Sequence, residues 1–390
     1  MLGLAQTLAW ASSYYLPAVL AGAIGRDIGT SASTIFGAFS VALLVAAAVG
    51  PYAGRLIDSL GGRPVLIASN LVFAVGLSLL SQANTTIHVF GAWAVMGLAM
   101  GSGLYESAFA TVVRLHGADA RRAITGITLL AGFASTVGWP LSTYLESAIG
   151  WRGACLAWAA MHIIIGLPLN ALLPRAARVV LASKGAASKD TAGAGLSPAQ
   201  QRRTAFLMAI VFAVTWFNST AMAAHLPELL LATGATVAVG IAALVGPAQV
   251  AGRLIDFIFL RRAHPVLSAR LATLAHPLGA LCLGLFGTSA ATAFAVLHGV
   301  GNGILTIAIG TLPLMIFGAK GYGERQGFLM VPARVVQATA PFVFGLAVEG
   351  WGVASLWVSA FLSLAACLAL VIMTTEINRS KSGGTFDATL

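Results

Sequence analysis

Long apolar runs follow one another along the whole chain, each closed by a short polar stretch. A helix crossing about 30 Å of hydrocarbon needs roughly 20 apolar residues. Twelve runs meet that length, at about 2–24, 32–57, 66–84, 89–114, 123–148, 153–173, 204–231, 234–255, 265–286, 289–317, 326–348 and 351–374. Strand-like alternation is absent. In lipid the backbone has to satisfy its own hydrogen bonds, so the runs are expected to be helices. Gly and Pro interrupt many of them, as membrane helices tolerate. The longest polar stretch, 174–203, is rich in Ala, Gly, Ser, Lys and Arg and parts the runs six and six. The expected architecture is an all-α integral membrane fold. It has a six-helix bundle over 1–173, a cytoplasmic linker over 174–203, a second six-helix bundle over 204–374 and a cytoplasmic tail over 375–390. A short surface helix is expected near Ala176–Ala182.

Composition sharpens this picture. Of 390 residues, 58% are hydrophobic and only 9% charged, against roughly 25% charged in soluble domains. Such a chain cannot cover a surface facing water, which excludes a soluble enzyme or a disordered regulator. The formal charge of +10 would suit nucleic acid, but its distribution does not. With both termini placed in the cytoplasm, eighteen of the 22 lysines and arginines fall in cytoplasmic segments. Only Arg26 and Arg152 fall outside, while Arg270 and Arg334 lie within spans. Positive charge retained on the cytoplasmic side sets this orientation and accounts for the basic excess without nucleic acid. Cys155, Cys282 and Cys367 all sit in apolar stretches, so neither a disulfide framework nor a metal site is expected. No P-loop, nucleophile elbow or zinc-protease motif is present, so no enzyme, ATP-driven pump or cofactor is expected.

The two halves repeat each other. Ala53-Gly-Arg-Leu-Ile-Asp58 recurs as Ala251-Gly-Arg-Leu-Ile-Asp256. Gly101-Ser-Gly103 answers Gly301-Asn-Gly303, Trp139-Pro140 answers Ala340-Pro341, and Leu16-Pro17 answers Leu226-Pro227. Parallel halves of this kind place a substrate site at the repeat interface, near the membrane midplane. The stretch Gly54-Arg-Leu-Ile-Asp58-Ser-Leu-Gly61-Gly-Arg63 resembles the loop signature between helices two and three of the major facilitator superfamily. Gly150-Trp151-Arg152 also resembles the family. Two departures stand out. Pro64 replaces a common second basic residue, and after Asp256 the glycine turn gives way to Phe257-Ile-Phe-Leu-Arg261-Arg262. Independently of the resemblance, Gly54 allows close helix approach, Gly61 allows a tight turn, and Asp58 can accept from a helix N-terminus and pair with Arg63. The resemblance implies that Gly54, Asp58, Gly61 and Arg63, with Gly252 and Asp256 in the second copy, form a cytoplasmic latch.

The resemblance further implies that helices one, four, seven and ten line a central cavity. Polar residues in a span are expected to face the bundle interior or water, and all four helices carry such stripes. Helix one shows Gln6, Trp10, Tyr14 and Tyr15; helix four shows Tyr105 and Glu106. Helix seven shows Trp216, Asn218, Met222 and His225; helix ten shows His298, Asn302 and Thr306. Glu106 is the one acidic residue well inside a span, which makes it the candidate proton-coupling group, with a structural ion pair as the alternative. Its expected partner is Arg334, at similar depth in helix eleven. Arg334 is also a candidate to hold a carboxylate or phosphate, or to serve only as a gate residue. His162 and His276, on outer helices, are expected to be structural. Of the family's glycine-rich helix-five antiporter run, Gly132 and Gly138-Trp139-Pro140 give a fragment, with Trp139 interrupting the Gly-Pro pair.

These readings point to a secondary active transporter moving a small organic solute, with an organic anion as one option, by alternating access coupled to protons. A drug or toxic-metabolite exporter of the same fold is the alternative, and a membrane receptor a remote one. The expected partners are the small-molecule substrate, the proton and the bilayer of an inner cell membrane. The family's usual state is a monomer.

Overall fold

The computed structural model describes residues 1–175, 196–234, 238–260 and 264–383. The expected surface helix near Ala176–Ala182 and most of the linker fall outside the described residues, as do Arg261 and Arg262. Among the described residues the secondary structure is helical throughout. The helices are α1 (Leu2–Ser12), α2 (Pro17–Ile28), α3 (Ala32–Leu60), α4 (Gly62–Ser81), α5 (Thr86–Gly103), α6 (Tyr105–His116), α7 (Arg121–Ala131), α8 (Ala134–Met161) and α9 (Leu167–Ala171). After the linker come α10 (Pro198–Ala232), α11 (Ala238–Ala243), α12 (Val245–Ile255), α13 (Pro265–Phe286), α14 (Ala291–Phe317), α15 (Tyr322–Trp351) and α16 (Leu356–Gly383).

Among the described residues, eight helical stretches are long and apolar enough to cross a membrane. Three of them, of 86, 53 and 54 residues, are too long for one crossing of roughly 20 residues. Turns at Gly117–Ala120 and Gly150 cut the first into three, and turns at Gly287–Ala290 and Gly352–Ser355 cut the others into two each. With the five single stretches, that makes twelve. Outward faces are apolar at helical spacing: Leu71, Val75 and Leu79 on α4, Leu271, Leu274, Leu278 and Leu281 on α13, and Phe361, Leu364 and Leu368 on α16 are all exposed. Such stripes suit hydrocarbon, not water.

Local chemistry sets the ends. Ser31 accepts from the Thr34 amide at 3.1 Å to start α3. Ser197 and Gln200 form a reciprocal capping box that starts α10 at Pro198, six residues earlier than the apolar run predicts. At the other end, α16 continues past the predicted end of the last span to Gly383.

Contacts divide the chain into two compact units. The first holds Met1–Ala182 and Gly321–Ala338, and the second holds Ser183–Lys320 and Thr339–Leu390. In the first unit, Gly97 and Gly101 of α5 lie against the Ala42 and Ala46 carbonyls of α3. In the second, Gly299 and Gly303 of α14 lie against the Val245 and Gln249 carbonyls. These are equivalent close-packed crossings, and they correct the repeat register. By packing, Gly101 answers Gly303, not Gly301. The letter-for-letter repeat is not a packing repeat either: a Cβ on Gly54 would collide with the Gly323 carbonyl of α15, whereas one on Gly252 would collide with the Val300 carbonyl of α14.

Candidate functional site

The loop signature is built around one close approach. Gly61, with φ 87°, is the only residue between α3 and α4, and that left-handed value favours glycine. One turn earlier, Asp58 reaches the start of α15. Its Oδ1 accepts from the Gly323 amide at 3.0 Å and its Oδ2 from the Glu324 amide at 2.9 Å. Both amides belong to the first turn, where helix donors have no partner of their own. Gly54 and Gly323 let the two backbones meet. Arg55 adds an ion pair to Glu324 at 2.6 Å. The carboxylate is thus engaged by backbone amides, and no Asp58–Arg63 ion pair occurs among the described residues.

Deeper in the same unit, helix four is discontinuous. Leu104 is extended, with φ −86° and ψ −162°, and separates α5 from α6. The break frees the Gly103 carbonyl, and the Gln6 side chain of α1 donates to it at 2.7 Å. It also places Glu106 in the first turn of α6, where the helix dipole favours a carboxylate. Arg334 of α15 donates to Glu106 Oε1 at 2.8 Å, and the two side chains are only 5% and 13% exposed. The other guanidinium nitrogen donates to Gln337 Oε1 at 2.8 Å, and Gln337 Nε2 in turn donates to the Tyr14 hydroxyl at 3.2 Å. The expected Glu106–Arg334 contact is therefore present, extended by Gln337, a residue the sequence reading passed over. Its signal was the helical spacing of three from Arg334.

Aromatic residues gather at the Tyr14 end of this chain. Trp10 packs edge-on to Tyr14 at 5.2 Å and against Tyr105 at 4.7 Å, and Tyr14 packs edge-on to Tyr15 at 5.3 Å. Tyr15 meets Trp139 at 5.8 Å. The four aromatic residues predicted on helices one and four thus form one cluster. His162 in the same unit is buried, with Ser12 Oγ at 2.7 Å and Asn70 Oδ1 at 2.9 Å.

The second unit contains a narrow cleft lined by Thr215, Asn218, Thr273, His276, His298 and Asn302. Asn218 donates to the Ser359 carbonyl at 3.0 Å and to Ser363 Oγ at 2.8 Å. Asn302 donates to Ser219 Oγ at 3.0 Å. The Thr306 hydroxyl is turned back to its own helix, donating to the Asn302 carbonyl at 2.8 Å. His298 faces His276, Nδ1 to Nδ1, at 2.8 Å. His276, expected to be structural on an outer helix, thus joins the polar group. Elsewhere in this unit, His225 Nε2 donates to the Pro341 carbonyl at 2.8 Å, and its Nδ1 lies 3.7 Å from Glu228. Trp216 and Met222 are buried on α10. Asp256, the residue that follows α12, is buried, as is Arg253 on that helix.

Comparison with known proteins decides the family. The sequence pattern of the Major Facilitator Superfamily matches residues 2–292. The chain belongs to the Major Facilitator Superfamily. As a member of that superfamily it is a multi-pass membrane protein. It is 30% identical over 149 residues to the multidrug resistance protein MdtL of Klebsiella pneumoniae strain 342, covering 37% of each chain. The matches to the first curated relatives span less than half of those proteins' length. Among solved structures, the human organic anion transporter MFSD10 is similar with a TM-score of 0.69 and 17% identity, covering 95% of this chain and 97% of that one. FucP in its outward conformation is similar with a TM-score of 0.73 and 13% identity, over 95% and 97% of the two chains. At these identities the structural likeness carries the superfamily fold.

Proposed function

We propose that this superfamily member is a secondary active transporter of a small organic solute, working by alternating access and coupled to protons through Glu106. The observation that carries the reading is the buried Glu106–Arg334 ion pair. Removing one partner from such a pair leaves an uncompensated charge in a poor dielectric. A proton on Glu106 would cancel that charge and release Arg334, which could then hold a substrate carboxylate or phosphate. Gln337 and Tyr14 continue the polar chain from Arg334, and the Trp10, Tyr14, Tyr15 and Tyr105 rings beside it suit a flat or ring-bearing solute. An organic anion meets both features. Both termini lie in the cytoplasm by the distribution of Lys and Arg, the membrane is a cell inner membrane, and the working unit is a monomer over the two bundles 1–173 and 204–374.

The test is flux of organic anions in proteoliposomes under an imposed pH gradient. The expected result is gradient-driven accumulation that Glu106→Gln uncouples, leaving exchange of substrate across the membrane without a pH dependence. Unchanged pH-driven flux in Glu106→Gln would overturn the assignment. The likeness to MdtL favours a second reading, export of drugs or toxic metabolites. Resistance of expressing cells to many unrelated lipophilic cations, with no response to anions, would select it.

A further inference from the structure

His225 of α10 takes no part in the Glu106–Arg334 reading, and its hydrogen-bond roles follow from its partners. A carbonyl oxygen can only accept. The 2.8 Å contact of Nε2 with the Pro341 carbonyl therefore requires the proton of the neutral ring to sit on Nε2. Nδ1 then carries a bare lone pair, and it lies 3.7 Å from Glu228 Oε2, about one turn on along the same helix. The niche is shaped for a ring. A Cβ on Gly345 of α15 would lie 3.2 Å from His225 Cε1, and Phe344 packs beside the imidazole at 5.9 Å. Side-chain exposure is 18% for His225 and 70% for Glu228, so protons can reach the pair.

Pro227 stands between the two partners. It has no amide hydrogen, so α10 lacks the rung to the Ala223 carbonyl at this level. His225 and Glu228 thus flank a weak point of the helix, at the end remote from the linker. Neighbouring charges do not oppose a positive ring there. On α15, Pro341, Phe344 and Gly345 carry no ionisable group, and Glu349, four residues past Gly345, is acidic and exposed. The other elements packed on α10 are α11, α14, α16 and the Gly352–Ser355 turn. Their only ionisable side chains among the described residues are His298, which faces His276, and Cys367.

We propose that His225 is a further proton-binding site of this chain, and that its protonation braces the Pro227 kink of α10. The proton adds to Nδ1 and gives the ring a second donor, directed at the Glu228 carboxylate. Nε2–H keeps the Pro341 carbonyl, now as a charge-assisted bond, which is shorter and stronger than a neutral one. Both changes have the same sign. Acid ties α10 to α15 more tightly and spans the missing rung, and a rise in pH returns the ring to one donor and loosens the kink. Histidine is the side chain whose ordinary titration falls between pH 5 and 8. The brace therefore responds to pH without any change at Glu106, which lies in the other unit.

The test uses the histidine-labelled full chain in lipid nanodiscs with no substrate and no gradient, so its failure leaves the transport proposal standing. Nitrogen-15 spectra, assigned by the signal missing in His225→Gln, should show Nε2 protonated and Nδ1 bare at pH 8, and both protonated at pH 5. Hydrogen exchange across 228–232, corrected for the intrinsic effect of pH, should be at least about threefold slower at pH 5 than at pH 8. His225→Gln keeps a side-chain donor for the Pro341 carbonyl and does not titrate, so its corrected exchange should be equal at both pH values. Glu228→Ala changes an exposed position, and should leave the fold intact and remove most of the acid effect. A neutral ring at pH 5, a proton on Nδ1 rather than Nε2 at pH 8, or an acid effect that persists in full in His225→Gln would each overturn the proposal.

Discussion

Replacing Asp58 by alanine tests the reading of the loop signature most directly. Asp58 supplies an acceptor to each of two first-turn amides of α15, Gly323 and Glu324. Both bonds are partly shielded from water. Leaving a buried donor unmatched costs about 1–3 kcal/mol, and loss of a helix cap alone costs about 0.5–2 kcal/mol. Alanine removes both acceptors together, and the close approach of Gly54 and Gly323 leaves little room for water to replace them. A local loss of about 3 kcal/mol follows, which is roughly a hundredfold at 1.4 kcal/mol per factor of ten. Hydrogen exchange in lipid nanodiscs reads this as a hundredfold faster exchange of the Gly323 and Glu324 amides. Asn keeps one acceptor and no charge, so Asp58→Asn should show about half the effect on a logarithmic scale. Amide exchange at Gly323 and Glu324 that is unchanged in Asp58→Ala would refute the reasoning, because those amides would then owe their protection to something else.

Three further outcomes are expected. Gly54→Val forces a side chain into the Gly323 carbonyl, and overpacking of this kind should lower stability by about 1–3 kcal/mol, seen as a lower melting temperature in detergent. Arg334→Lys cannot serve Glu106 and Gln337 with two separate nitrogens as the guanidinium does, so flux should fall about tenfold while expression is unchanged. Cys155 is fully buried whereas Cys282 and Cys367 are partly exposed, so mass spectrometry after maleimide treatment should find Cys155 unmodified until the protein is denatured.

What the sequence discloses depends on whether a feature is local. The apolar runs and the spacing of the Asp58 motif are properties of short windows, and the contact of Asp58 with a helix N-terminus and the Glu106–Arg334 pair follow from them. The break at Leu104 is different. Nothing in Gly103-Leu-Tyr105 excludes a continuous helix, and the break is stabilised by Gln6, 97 residues away, donating to the Gly103 carbonyl. The repeat register failed for a related reason. Identical letters at Gly54 and Gly252 meet different helices, so identity of residues did not mean identity of packing. The position of His276 on an outer helix implies a structural role, whereas its contact with His298 joins two helices and is not a property of either window.

The junction at Gly61 has a mechanical consequence. Most connections between helices contain several residues that absorb small rotations, and this one contains a single residue. With no slack, a tilt of α3 is delivered to α4 almost unchanged, and the pair behaves as a bent lever whose elbow lies one turn beyond the Asp58 clasp. A chain with one or two extra glycines inserted after Gly61 would keep every hydrogen bond of that clasp and lose the stiffness of the elbow. Such a variant would separate holding α15 in place from passing motion along the fold.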